Sequence, residues 1–92
     1  MLNPLEQLLE LYPDKPWNWY NVSRNPNITM QIIMQDPDKP WYWYLVSFNP
    51  NLTMKMIIDN PDKSWDWRFI SRNHNITIQD IKNNPDKPWD YE

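Results

Sequence analysis

Glycine and cysteine are both missing from this chain. Without glycine there is no Gly-rich loop to cradle a phosphate, and every turn falls to Pro, Asn and Asp. Asn is the usual non-glycine occupant of the left-handed backbone region, so it is expected to supply that conformation here. Without cysteine, disulfide frameworks and thiolate metal sites are excluded, and nothing can be read about redox compartment. No apolar run approaches the roughly 18 residues that a membrane span requires, and the N-terminus lacks the basic and apolar regions of a secretory leader. The expectation is a cytoplasmic protein with no membrane partner.

A basic patch is also missing. Net charge is -3, distributed unevenly. The first twelve residues carry Glu6 and Glu10. Residues 13–36 balance Asp14 and Asp36 against Lys15 and Arg24, and residues 37–60 balance Asp38 and Asp59 against Lys39 and Lys55. Residues 61–84 are slightly positive, and the last eight residues are negative again.

Aromatics, by contrast, reach 15 % of the chain, with seven Trp, and Pro occurs ten times. So many large apolar side chains exclude a disordered chain on composition, although the mean hydropathy is -0.89. That low value reflects the Asn, Asp and Pro of the turns. A compact globule of 92 residues is marginal on buried area alone; a stack of repeating units escapes this limit, because each buries its apolar face against the next.

The repeat is visible directly. Residues 13–36 read PDKPWNWYNVSRNPNITMQIIMQD, residues 37–60 read PDKPWYWYLVSFNPNLTMKMIIDN, and residues 61–84 read PDKSWDWRFISRNHNITIQDIKNN. Residues 85–92 open a fourth unit, and residues 1–12 match the second half of one: Leu8-Leu9 falls where Ile32-Ile33 does, and Asn3 where Asn27 does. A fixed period of this length is the mark of a solenoid. The predicted architecture is all-α: a short α-solenoid of helix–turn–helix units, 13–36, 37–60 and 61–84, flanked by an N-terminal capping helix in 1–12 and a partial fourth unit in 85–92.

Within a unit, the first helix is predicted from about Pro16 to Arg24, with Asp14 or Lys15 before it and Pro16 in the first turn, where its missing N–H costs nothing. Trp17, Tyr20 and Ser23 or Arg24 then fall at helical spacing. Pro26 stops this helix by disfavouring the helical conformation of Asn25. A second helix starts at Thr29, a good N-cap, and ends at Asp36-Pro37. In the third unit Thr77 and Asp80 form a short version of the capping box. Helices of eight or nine residues are marginal alone, which is the physical reason for tandem repetition. The register predicts a core of Trp17, Trp41, Trp65 and Trp89, with Ile33, Ile57 and Ile81 beside columns led by Trp19 and Val22. Each indole N–H needs a partner, and aligned Asp, Asn or Ser side chains are the expected ones.

The phrases Asn-Pro-Asp-Lys-Pro-Trp-x-Trp (60–67, with Ser64 in place of Pro, and 84–89) and Asn-Pro-Asn-Ile-Thr (25–29) resemble a repeat of uncharacterised proteins of giant DNA viruses of the mimivirus type. The resemblance extends from about Pro13 onward. It implies a viral or virus-derived repeat protein, in the host-cell cytoplasm, and brings no catalytic residues. The third unit departs from the pattern at Ser64, Arg68, His74, Asp80 and Lys82. Asp80 and Lys82 stand where earlier units have Ile or Met, so the second helix of that unit is expected to be less covered, as at a solenoid end.

The chemistry-bearing residues have plainer roles open to them. Asp14, Asp38, Asp62 and Asp86 recur at one register, whereas a hydrolase needs two carboxylates in different environments; capping or pairing with the adjacent Lys is the expected role. His74 has no second ligand. Ser23, Ser47 and Ser71 lack a histidine and a nucleophile elbow, so they are expected to bond backbone. Four Asn-x-Ser/Thr triplets, beginning at Asn21, Asn27, Asn51 and Asn75, are better explained by turn and cap chemistry than by glycosylation. No cofactor or metal is expected, and the chain is not expected to be an enzyme.

The positions that vary between units point to function, because the core must recur while the surface need not. Tyr42, Leu45 and Phe48, with Arg24 and Arg72 at equivalent or neighbouring register, form a candidate interaction surface, since apolar stripes of this kind mark interfaces. The leading expectation is a non-enzymatic scaffold for protein–protein interaction, or for self-assembly into a homo-oligomer through exposed repeat ends. The alternative is a helical repeat that binds single-stranded nucleic acid through stacked bases, against which the acidic net charge stands.

Overall fold

The chain is an all-α repeat fold, described here for residues 2–91 of a computed structural model. Seven short helices follow one another: α1 Pro4–Leu11, α2 Trp19–Arg24, α3 Met30–Gln35, α4 Trp43–Val46, α5 Met54–Asp59, α6 Trp67–Ser71 and α7 Ile78–Asn83. The molecule measures 41 × 23 × 21 Å with a radius of gyration of 13.7 Å, against about 12 Å for a compact domain of this length. Elongation of this kind is what a short stack produces.

The second helix of each unit starts where predicted. Thr29, Thr53 and Thr77 are N-caps whose hydroxyls accept from the N–H of Ile32, Met56 and Asp80, and Asp80 closes the capping box on the Thr77 N–H. Their C-caps, Asp36, Asn60 and Asn84, each stand directly before a proline.

The first helix starts later than predicted. It opens at Trp19, Trp43 and Trp67, not near Pro16, and the caps are Asn18, Tyr42 and Asp66, not Asp14 or Lys15. Main-chain bonding in the Pro-Asp-Lys-Pro-Trp segment explains the difference. The N–H of Lys15, Lys39, Lys63 and Lys87 bonds back three residues, and the N–H of Trp17, Trp41, Trp65 and Trp89 bonds back only two, at 2.7–2.9 Å. A chain turning this tightly cannot also form helical i→i−4 bonds. The shortened helices, of four to six residues, lie well below the length at which a helix holds by itself.

Asparagine does its work without the left-handed conformation: no described residue has positive φ. Asn25, Asn49 and Asn73 instead accept, through side-chain oxygen, the N–H two residues on. This side-chain turn reverses the chain between the two helices of each unit and dispenses with glycine.

Four sets of contacts join the units. The Asn49 and Asn73 amides reach back to main-chain carbonyls of the preceding unit, at Ile28 (3.0 Å) and at Ser47 and Asn49 (3.1 and 2.9 Å). Asn51 and Asn75 do the same to Pro26, Ile28 and Leu52. Ser23, Ser47 and Ser71 hydroxyls accept the N–H of Tyr42, Asp66 and Asp90, each at 2.9 Å. The indoles of Trp19 and Trp41, Trp43 and Trp65, and Trp67 and Trp89 meet edge to face at 5.0–5.2 Å, a geometry worth about 0.5–1.5 kcal/mol beyond burial. The indole N–H of Trp17, Trp41, Trp65 and Trp89 bonds the carbonyls of Tyr12, Asp36, Asn60 and Asn84. The partner is therefore main chain, not the Asp, Asn or Ser side chain expected, because the tight turn brings each ring back over the C-cap of the preceding helix.

Of the predicted core, Trp41, Trp89, Ile33 and Ile57 are buried, with Ile28, Val46, Leu52 and Ile70 fully enclosed among them. Trp17, Trp65 and Ile81 are only half-buried and pack against that cluster. The helix α7 buries none of its residues, in keeping with the polar substitutions Asp80 and Lys82.

The cap is not a plain copy of a second helix. The helix α1 is N-capped by Asn3 with Glu6 completing a capping box. Glu6 lies 2 % exposed, and its other oxygen accepts both the N–H and the hydroxyl of Thr29. Asn3 also donates to the Asn27 carbonyl at 2.6 Å. Among the described residues, no buried side-chain N or O lacks a partner.

Candidate functional site: an aromatic groove over the first helices

A broad concavity runs across α2, α4 and α6, on the face where the sequence varies most between units. It encloses about 930 Å³, floored by Leu45, Phe48 and Phe69, walled by Pro26 and Pro50, and edged by Arg24, Arg72 and His74. Four of the five surface residues singled out from sequence thus come together: Arg24, Leu45, Phe48 and Arg72. Tyr42 does not line the groove. It sits on the adjoining crest, edge to face with Tyr20 at 5.5 Å and beside Tyr44 at 6.1 Å.

The crest and the groove are continuous. Tyr44 contacts Phe69 at 6.4 Å, and Phe69 contacts Phe48 at 5.4 Å. Five rings from three units thereby make one band, of which Tyr42 is 42 % and Phe48 59 % exposed. Packing against the next unit and exposure to solvent are both true of these residues.

Sequence reasoning placed Tyr44 in the crowded middle unit but missed Tyr20 and Phe69. The signal was present in the spacing. Trp19–Trp41, Trp43–Trp65, Trp67–Trp89 and Tyr20–Tyr42 are all two residues short of the repeat period. Offset by that amount, Tyr20 becomes a neighbour of Tyr42 and not of its own repeat equivalent.

Electrostatics on this face differ from the rest of the molecule. The chain has three arginines, Arg24, Arg68 and Arg72, and all lie on or just after the first helices. Arg68 forks onto Asp66, with Nε at 3.3 Å from one carboxylate oxygen and Nη2 at 3.0 Å from the other. This bond is the main reason the Asp66 carboxyl lies below its ordinary value, with the Phe69 and Arg68 amides adding to it. Arg72 pairs with Asp90 at 3.3 Å and donates to the Arg68 carbonyl at 3.1 Å. Arg24 lies over the Tyr20 ring at 5.8 Å, and among the described residues no carboxylate pairs with it.

The remaining candidates have structural places. Ser47 and Ser71 also donate to the carbonyls of Trp43 and Trp67, so these hydroxyls are spent on backbone. Asp62 and Asp86 are surface partners of Lys63 and Lys87, both at 3.8 Å, while Lys39 turns to Asp36 at 3.7 Å instead of Asp38. His74 is an exposed member of the groove rim. No cluster of three or more His, Asp or Glu side chains suited to a metal occurs among the described residues, and none of their helices is long and apolar enough to cross a membrane.

No family model, curated protein or solved structure matches this chain. The reading of the groove therefore stands on its geometry. The amides of Asn51 and Asn75, two of the four Asn-x-Ser/Thr acceptors, are turned inward to bond the preceding unit, where an attached glycan would cost the junction.

Proposed function

We propose that the chain is a non-enzymatic repeat scaffold whose groove over α2, α4 and α6 binds a protein. The observation that carries this reading is the five-ring aromatic band opening into a concavity floored by Leu45, Phe48 and Phe69. Patches of this size and character are usually covered in use, and Tyr, Phe and Arg are the residue types enriched where proteins meet. We read no catalysis in the groove, because its polar lining is the side chains of Arg24, Arg72 and His74 with asparagine amides bonded to backbone, not a pair of carboxylates with opposed proton affinities.

Single-strand binding is the second reading, favoured by one feature: stackable rings with all three arginines beside them. It is the weaker of the two. Arg68 and Arg72 are already paired with Asp66 and Asp90, which leaves little positive charge for a phosphate backbone. A viral origin and a place in the host-cell cytoplasm belong to the same proposal, resting on the phrases at 25–29, 60–67 and 84–89.

The experiment is capture from cell lysate with and without nuclease, comparing wild type with Tyr42→Ser/Leu45→Ser/Phe48→Ser. The expected result is a specific protein that survives nuclease and is lost in the variant. Recovery of nucleic acid alone, or capture abolished by nuclease, overturns the protein reading in favour of the strand-binding one.

A further inference from the structure

Whatever enters the groove must be apolar and must bring negative charge. Its floor is Leu45, Phe48 and Phe69, its edge carries Arg24 and Arg72, and no carboxylate lines it. Arg24 has no ion pair among the described residues, so a partner carboxylate would meet a cation that is free to receive it.

One element of this same chain has the matching face. The helix α1 turns Leu9 and Glu6 inward and leaves Leu8 45 % and Leu11 69 % exposed, with Tyr12 beside them. Leu8, Leu11 and Tyr12 stand at i, i+3 and i+4, one side of a helix. Glu10 is exposed on the flank of this face, about 100° round the helix from Leu11, where it would meet the edge of a groove, and α1 carries no cation. The exposed isoleucines of the other helices lack this pairing of properties. Ile78 shares its helix with Lys82, and Ile58 sits beside Asp59, which is bonded to Lys55 at 2.6 Å.

We propose that the groove of one copy receives α1 of a second copy, with Leu8 and Leu11 on the aromatic floor and Glu10 against Arg24. This rests on the reading of the groove as a protein-binding surface and names its occupant. A chain cannot satisfy its own groove, because α1 is fastened to the first unit through Glu6 and Thr29. The two faces are different patches, so the contact is heterologous and each copy keeps one free α1 and one free groove. Association then continues into rings or filaments. End-to-end stacking is disfavoured by comparison, since residues 1–12 and 85–92 are both acidic and like charges repel across an interface.

The test is sedimentation velocity on the whole chain from micromolar to near-millimolar concentration, with circular dichroism to confirm the fold of each variant. Wild type is expected to grow in mass with concentration and to do so less in high salt. Arg24→Glu and Glu10→Arg are each expected to weaken association by at least about tenfold, since each sets like charges opposite one another. Mixing the two variants restores association, because each then meets an opposite charge on the other. Wild type that remains monomeric throughout overturns the proposal, as does association unchanged in Arg24→Glu and Phe48→Ser, or a mixture no stronger than its components. A monomeric wild type whose triple groove variant still loses a captured protein would remove self-docking and leave the protein-binding groove standing.

Discussion

Replacing Ser47 with Ala should cut the solenoid at its middle junction. The Ser47 side chain is fully enclosed, and its hydroxyl makes two bonds, accepting the Asp66 N–H at 2.9 Å and donating to the Trp43 carbonyl at 2.7 Å. The Trp43 carbonyl loses little, because it also receives the Ser47 N–H. The Asp66 N–H is the costly loss. It belongs to the N-cap residue of α6, and a shielded donor left without a partner costs about 1–3 kcal/mol. Deleting one hydroxyl also opens a small void, so the total should fall near 2 kcal/mol. For a domain of this size, that lowers the melting temperature by roughly 10 °C. Urea unfolding followed by tryptophan fluorescence gives the free energy, and amide exchange at Asp66 gives the location. Ser71→Ala should cost less, since only residues 85–91 lie beyond its junction among those described. A Ser47→Ala protein within about 0.5 kcal/mol of wild type, the scatter of an ordinary surface substitution, would refute the claim that this hydroxyl holds the junction.

Glu6→Ala removes the carboxylate that receives the Thr29 N–H and hydroxyl and should cost about 2–4 kcal/mol, given about 1.5–3 kcal/mol for a bond to a charged group; urea midpoints measure it, and early exchange of α1 amides should accompany it. Trp41→Phe keeps most of the burial and removes the indole bond to the Asp36 carbonyl, which still receives the Lys39 N–H, so the loss should be about 0.5–1.5 kcal/mol by thermal unfolding. The Asp66 carboxyl is held below its ordinary value, chiefly by Arg68, so its contribution to stability is complete above the unfolded carboxylate value near 4 and is lost as pH falls through the lower folded value. Asp66→Asn should accordingly flatten the acid limb of stability below about pH 4, read as urea midpoints across that limb; an unchanged acid limb would count against the assignment.

The parts of the fold that were legible in the sequence are those set by local chemistry repeated in register. Thr29, Thr53 and Thr77 cap the second helices, and the prolines after Asp36 and Asn60 end them, because capping and proline geometry act over one turn. The starts of the first helices were misjudged because two local rules competed at Pro16. Proline suits a helix N-terminus, but the bond from Trp17 back to Lys15 keeps the segment in a turn and leaves capping to Asn18. The groove was half legible. Variation between units marked Leu45, Phe48, Arg24 and Arg72, but Phe69 and Tyr20 join only through the offset between neighbouring units, a property of packing that no single unit contains. The burial of Glu6 could not be read at all, since a glutamate in a first turn is ordinarily a surface residue.

The polar contacts between successive repeats share a grammar with a consequence for how such a chain changes over generations. Apart from the surface ion pairs Lys39–Asp36 and Arg72–Asp90, the polar side-chain contacts set a side chain of one unit against the main chain of its neighbour: serine hydroxyl to N–H, asparagine amide to carbonyl. Main-chain groups are the same whatever residue bears them. A position on the receiving side can therefore mutate without a matching mutation across the boundary, and a unit copied or deleted in frame finds the partners it needs already in place. The surface that faces the groove is left free to diverge while the seams stay intact.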